Sequence, residues 1–301
     1  NMKDDYNCLY AVADLHSLTV RPEPATLRKN TMELYAILLA LGLDPEESIV
    51  FIQSHVPQHA QLAWLLNCCT QFGEAARMTQ FKDKSEKHPE NVNVGLFTYP
   101  ILMAADILLC NSKFVPVGAD QKQHVELARD LAIIFNHRYK KDIFVIPEPV
   151  IPTTGARIMS LSDPSKKMSK SDPKGDIFLK DDLNVIRKKI MSAVTDMDAN
   201  VYYDINNKPG ISNLLSIYAA TKGISLEEAE ATFKGMTRYG DFKKAVADAV
   251  VEELSAFQER YKYIKENKLY VEALRKGAKR ANEISQITLK RVKKAVGLLS
   301  V

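Results

Sequence analysis

Two spacings of apolar residues alternate through the first half of the chain. Short apolar runs at Cys8–Ala13, Ile49–Gln53, Phe114–Val117 and Asp142–Ile146 predict strands. Between them the apolar residues fall at helical intervals. Pro24–Leu43 carries Leu27, Leu34, Leu38 and Leu41 and stops at Gly42, and His59–Thr70, Pro100–Leu109 and Gln121–Phe135 follow the same pattern. Strands alternating with helices predict a doubly wound, parallel α/β sheet. Ligands of such sheets sit outside the carboxyl ends of the strands, which directs attention to the segments after Ala13, Gln53 and Val117.

From Pro147 to Asp176 the periodicity lapses into Pro, Gly, Ser, Thr and Lys, the composition of a long functional loop. After Lys180 the pattern is helical: Asp181–Val194, Ser212–Thr221, Ser225–Phe233, Asp241–Lys265 and Leu269–Val296. Ser225 followed by Glu228 is a capping-box start. The expected organisation is an α/β domain over residues 1–176 and an all-helical domain over 177–301, with the last helix packing back on the first domain.

With 301 residues, 46% of them hydrophobic, the chain can bury the core of one large domain or two ordinary ones. No apolar run approaches the roughly 20 residues of a bilayer crossing. Four cysteines without a C-x-x-C pair suggest neither a disulfide framework nor a metal site. With no leader-like start, a reducing, cytoplasmic setting is expected. Net charge is −4 over residues 1–150 and +8 over residues 151–301. That asymmetry fits either a polyanion partner for the second half or a solvated basic surface.

The loop contains Lys167-Met168-Ser169-Lys170-Ser171, preceded by Gly155 to Leu161 (GARIMSL). KMSKS between an α/β half and a helical half resembles the second signature of class I aminoacyl-tRNA synthetases. Asp14-Leu15-His16, Phe51 to His59 (FIQSHVPQH), Arg77 to Ser85 (RMTQFKDKS), Tyr99 to Leu109 (YPILMAADILL), Val115 to Asp130 (VPVGADQKQHVELARD) and Lys208 to Leu215 (KPGISNLL) extend the likeness over nearly the whole chain. Together they resemble the bacterial-type tryptophanyl-tRNA synthetases. A tyrosyl-type class I enzyme and a non-catalytic tRNA-binding derivative are the alternative readings. The resemblance implies a Rossmann-like catalytic domain followed by a helical anticodon-binding domain. The implied reaction activates L-tryptophan with ATP and Mg²⁺ to the adenylate, then transfers it to tRNA(Trp), commonly on a homodimer.

An indole pocket needs an apolar slot with one acceptor for its single N–H. Tyr99, Met103 and Asp106 fall on one helix face. By resemblance, Asp106 accepts the indole N–H, Met103 packs the ring, Tyr99 and Gln121 hold the amino end, and His16 lies nearby. Lys167, Lys170 and Lys84 would meet the pyrophosphate oxygens. Gly118, Asp120 and Ile158, the backbone of Ala119, and Met168, Ser169 and Ser171 would contact the nucleotide. No residue is assigned as a metal ligand: His55 and His59 are four apart with Pro57 between them, unlike a helical zinc motif. His124 reads as a structural hydrogen-bonding residue, and Cys68 and Cys69 as core and its edge. Arg275, Lys276, Lys279, Arg280, Lys290, Arg291, Lys293 and Lys294 form a basic face that would meet tRNA. The H-I-G-H-like first signature of the class does not occur in the sequence, which leads to the expectation of a longer native protein.

Overall fold

Two short parallel strand pairs form the β-structure of the computed structural model, which describes residues 5–78, 92–151, 158–170 and 172–299. β1 (Leu9–Val12) pairs with β2 (Ile49–Ile52), Leu9 opposite Ile49 and Val12 opposite Ile52. β3 (Phe114–Pro116) pairs with β4 (Glu148–Val150). The helices that connect the strands are α1 (Asp14–Ser17), α2 (Pro24–Ala40), α3 (Gln58–Asn67), α4 (Phe72–Ala76), α5 (Val94–Leu109) and α6 (Lys122–Tyr139). The helical remainder is α7 (Leu183–Met191), α8 (Pro209–Lys222), α9 (Leu226–Thr232), α10 (Tyr239–Glu266) and α11 (Leu269–Ala295). The α/β pattern followed by helices is as the sequence led one to expect.

Local chemistry sets these boundaries. Pro24 opens α2, and Glu23 caps it by accepting from the N–H groups of Ala25 and Thr26. Ser225 and Glu228 form the reciprocal capping box at α9.

One expected strand is absent. Residues 142–146 are not β, and the partner of β3 is Glu148–Val150, inside the stretch read as loop. The cause is side-chain competition for the backbone. Asn136 accepts from the N–H groups of Ile143 and Phe144 and donates to the Phe144 carbonyl, while Asn111 takes the Val145 N–H.

The chain divides into two compact units, one of residues Asn1–Thr153 with Ile264–Val301 and one of Thr154–Tyr263. The division falls before the KMSKS segment, and the chain returns to the first unit at the end of α10. The core of the first unit gathers Phe51, Leu62, Leu66, Leu108, Leu131 and Phe135 with Ala281, Leu289 and Val292 of α11. α11 approaches β2 closely: a Cβ on Gly277 would lie 1.8 Å from the Val50 carbonyl oxygen. Three of the eight basic residues expected to face RNA are engaged inside this unit. Lys276 pairs with Glu46, Arg280 donates to the carbonyls of Pro45 and Ser48, and Arg291 donates to that of Asp142.

The second unit is built on Ile186, Ile190, Ile211, Leu214, Phe242 and Val246. Within it Lys208, 2% exposed, donates to Asp196, Asp198 and Tyr239 at 2.8–3.0 Å. The two carboxylates outweigh the effect of burial and hold the ammonium above its ordinary range.

Candidate active site

In the first unit the segments that follow β1 and β2 meet one residue of α5. α1 begins two residues after β1 and carries His16; Gln53 follows β2 directly; His59 lies in the first turn of α3. All three reach Asp106. His16 Nε2 is 2.9 Å from Oδ2, His59 Nδ1 is 2.7 Å from Oδ1, and Gln53 Nε2 donates to both oxygens at 2.8 and 2.9 Å. The Gln53 amide is oriented from its other end, where Oε1 accepts the Leu15 N–H at 3.1 Å. Burial raises the Asp106 pKa, but the hydrogen bonds from His16 and His59 prevail and hold it below the usual carboxylate value.

One α5 turn before Met103, Tyr99 is buried, with its hydroxyl 3.0 Å from His124 Nε2 on α6. The His16 ring meets the Tyr99 ring edge-on at 6.2 Å. Met103 lies half-buried against the core. Gln121 ends a 3₁₀ turn that begins at Ala119 and donates to Asp120. Gly118 leaves room for that turn: a Cβ there would meet Asp120 Oδ1 at 2.7 Å. Gly118, Ala119 and Asp120 are exposed.

In the second unit Met159 and Lys167 form an antiparallel bridge, and the Met168 N–H donates to the Ile158 carbonyl. Asp172 anchors the base, accepting from Ser160 and Ser162 hydroxyls and from the Gly175 N–H. These hydrogen bonds, led by those of Ser160 and Ser162, hold its carboxyl below the usual range. Lys167, Ser169 and Lys170 are exposed, while Ile158 and Met168 pack against the core of this unit. Lys84 and Ser171 lie outside the described residues.

The sequence reading placed Asp106, His16 and Tyr99 at the site but missed Gln53 and His59. Gln53 stands at the carboxyl end of a strand, where ligands of α/β sheets gather, and both residues lie in the Phe51–His59 segment that carries the resemblance, but neither was given a role. Among the described residues no three His, Cys, Asp or Glu side chains are grouped to hold a metal ion.

Residues 1–255 match the family model described as tRNA synthetases class I (W and Y). The chain belongs to the class I tRNA synthetases. The tryptophan–tRNA ligase of Caldanaerobacter subterraneus subsp. tengcongensis is 53% identical to this synthetase over 300 residues, covering 99% of this chain and 90% of that one. The crystal structure of tryptophanyl-tRNA synthetase from Mycoplasma pneumoniae is similar with a TM-score of 0.82 and 37% identity, over 96% of this chain and 88% of that one. The Campylobacter jejuni tryptophanyl-tRNA synthetase, complexed with ADP and tryptophan, is similar with a TM-score of 0.83 and 31% identity, over 98% and 91%.

Proposed function

We infer that this chain is a tryptophan–tRNA ligase that forms tryptophanyl-adenylate from L-tryptophan and ATP and then esterifies tRNA(Trp). The observation that carries the choice of amino acid is Asp106, an ionised acceptor at the end of the Tyr99–Met103 face of α5. It suits a large apolar ring with one N–H. Gln121 and Tyr99 would hold the amino group, and Met103 would pack the indole.

Activation is attack of the tryptophan carboxylate on the α-phosphorus, with pyrophosphate leaving. The protein supplies orientation and cations for the developing charge. Lys167 and Lys170, exposed beside the Met159–Lys167 bridge, would take that role with Lys84. Gly118, Ala119, Asp120, Ile158 and the remainder of the KMSKS segment would contact the nucleotide. Mg²⁺ would be held by phosphate oxygens, which suit it better than a dedicated protein cage.

For tRNA, Arg275, Lys279, Lys290 and Lys294 stand exposed on α11, a surface for phosphates. The helices after residue 176 would serve as the helical anticodon-binding domain. A homodimer is favoured by the apolar side chains exposed on neighbouring helices: Trp64 at 69%, Phe72 at 77% and Val94 at 77%. No helix among the described residues is long and apolar enough to cross a membrane.

ATP–pyrophosphate exchange with tryptophan, tyrosine and phenylalanine offered separately tests the reading. Exchange with tryptophan alone is expected, and exchange with tyrosine at equal efficiency would overturn it. Sedimentation of the chain and of Trp64→Glu tests the dimer.

A further inference from the structure

Asp106 presents two oxygens to four donor contacts, and the donors differ in their surroundings. Gln53 spans both oxygens through one amide nitrogen, His59 adds a second contact to Oδ1, and His16 adds a second to Oδ2. A carboxylate has about four acceptor positions, and three donor groups already reach these two oxygens. A further donor reaches Asp106 most readily by taking the place of the least enclosed of the three. Gln53 and His59 are each 1% exposed, against 21% for the His16 side chain.

The two buried donors are also fixed. The Leu15 N–H bond to Gln53 Oε1 turns the amide nitrogen toward Asp106. The oxygens of ionised Asp106 only accept, so His59 Nδ1 carries the proton. Its ring lies against Phe51 at 5.7 Å, and Nε2 is buried without a hydrogen-bond partner among the described residues.

We propose that Gln53 and His59 are specificity-determining positioning residues that lock the Asp106 carboxylate, leaving only the Oδ2 position now held by His16 to exchange with a substrate donor. This rests on Asp106 being the indole acceptor. A ring with an N–H displaces His16 and restores the bond. A ring of the same shape without one displaces His16 and covers the partly buried carboxylate while leaving it a donor short, which selects against it.

The test is kcat/KM in ATP–pyrophosphate exchange for tryptophan and for β-(3-benzothienyl)alanine, in which sulfur replaces the indole N–H. The unaltered chain is expected to prefer tryptophan by roughly tenfold or more. Gln53→Met and His59→Leu should bring that ratio toward one, and His59→Asn, which returns an amide donor near the Nδ1 position, should recover part of it. If thermal unfolding shows that Gln53→Met is not folded, His59→Leu carries the test and is read the same way. Proportional losses with both substrates, the ratio unchanged, would overturn the proposal. Asp106→Ala, which removes the acceptor, separates the two levels. A ratio unmoved by Asp106→Ala would sink the acceptor reading itself, whereas a ratio that moves there but in none of the Gln53 and His59 variants would sink only the lock.

Discussion

The side-chain amide of Asn213 closes a ring on the backbone of Met159, accepting its N–H and donating to its carbonyl, both at 2.8 Å. Met159 is the residue bridged to Lys167. α8 therefore holds the hairpin that presents the KMSKS segment. Asn213→Ala should destabilise the second unit by about 1–3 kcal/mol for the two bonds. It should also raise KM for ATP with KM for tryptophan unchanged. Asn213→Asp keeps the acceptor but sets a carboxylate oxygen against the Met159 carbonyl, so it should restore no more than part of the loss. Hydrogen exchange at the Met159 amide and the two KM values decide; unchanged exchange would remove Asn213 from this role.

Gly277 in α11 sets two effects against each other. Alanine is preferred over glycine within a helix by about 1 kcal/mol. The added Cβ, however, would lie 1.8 Å from the Val50 carbonyl oxygen, which already accepts the Tyr35 hydroxyl at 3.0 Å. Forcing the helix off β2 costs about 1–3 kcal/mol or more, so the clash should win. The expected result is a Tm lowered by several degrees. An unchanged or raised Tm would show that α11 yields.

What the sequence revealed and what it concealed follow from the range of the interactions concerned. Strand and helix periods are local, and β1, β2, β3 and the longer helices appeared where their periods lay, whereas the short α1 and α4 were not expected. Residues 142–146 have a strand-like composition, yet their backbone groups go to Asn136 and Asn111, the latter 34 residues from its partner. No periodicity carries that information. The helical character of α11 was legible and its return to the first domain was expected; its close approach to β2 was not, although a glycine amid good helix formers marks such an approach. At the site, the Tyr99–Met103–Asp106 face is one helix and could be read. Gln53 and His59 reach Asp106 across 53 and 47 residues, and a buried glutamine looks in sequence like an exposed one.

The lowered pKa of Asp106 carries a sign for stability. A carboxyl whose pKa is lower folded than unfolded adds stability above its unfolded value of about 3.8, and loses it as pH falls through the folded value. Urea unfolding of the first unit should therefore weaken below about pH 4 more steeply in the unaltered chain than in Asp106→Asn. Parallel pH dependence in the two would mean that the hydrogen bonds from His16 and His59 do not stabilise the ionised form.

Asp106→Ala should separate amino-acid selection from nucleotide binding. Losing a hydrogen bond to a charged acceptor is worth about 1.5–3 kcal/mol, so kcat/KM for tryptophan should fall by roughly 10- to 150-fold. KM for ATP should stay near its starting value. Comparable losses for both substrates would assign Asp106 a role in folding instead of selection.

Lys170 stands exposed in the KMSKS segment, and no hydrogen bond or ion pair ties it down among the described residues. Such a cation can stabilise charge that develops only as pyrophosphate departs. An interaction made only in the transition state lowers kcat without weakening ground-state binding. Lys170→Ala should thus reduce kcat for adenylate formation by about 10²–10³-fold, the scale found for removing one preorganised electrostatic donor. Equilibrium binding of tryptophan should be unchanged. Lys170→Arg keeps the charge but not the compact ammonium, so it should recover part of the rate. Single-turnover formation of the adenylate measures the step directly. A rate preserved in Lys170→Ala would shift the transition-state charge to Lys167 and Lys84.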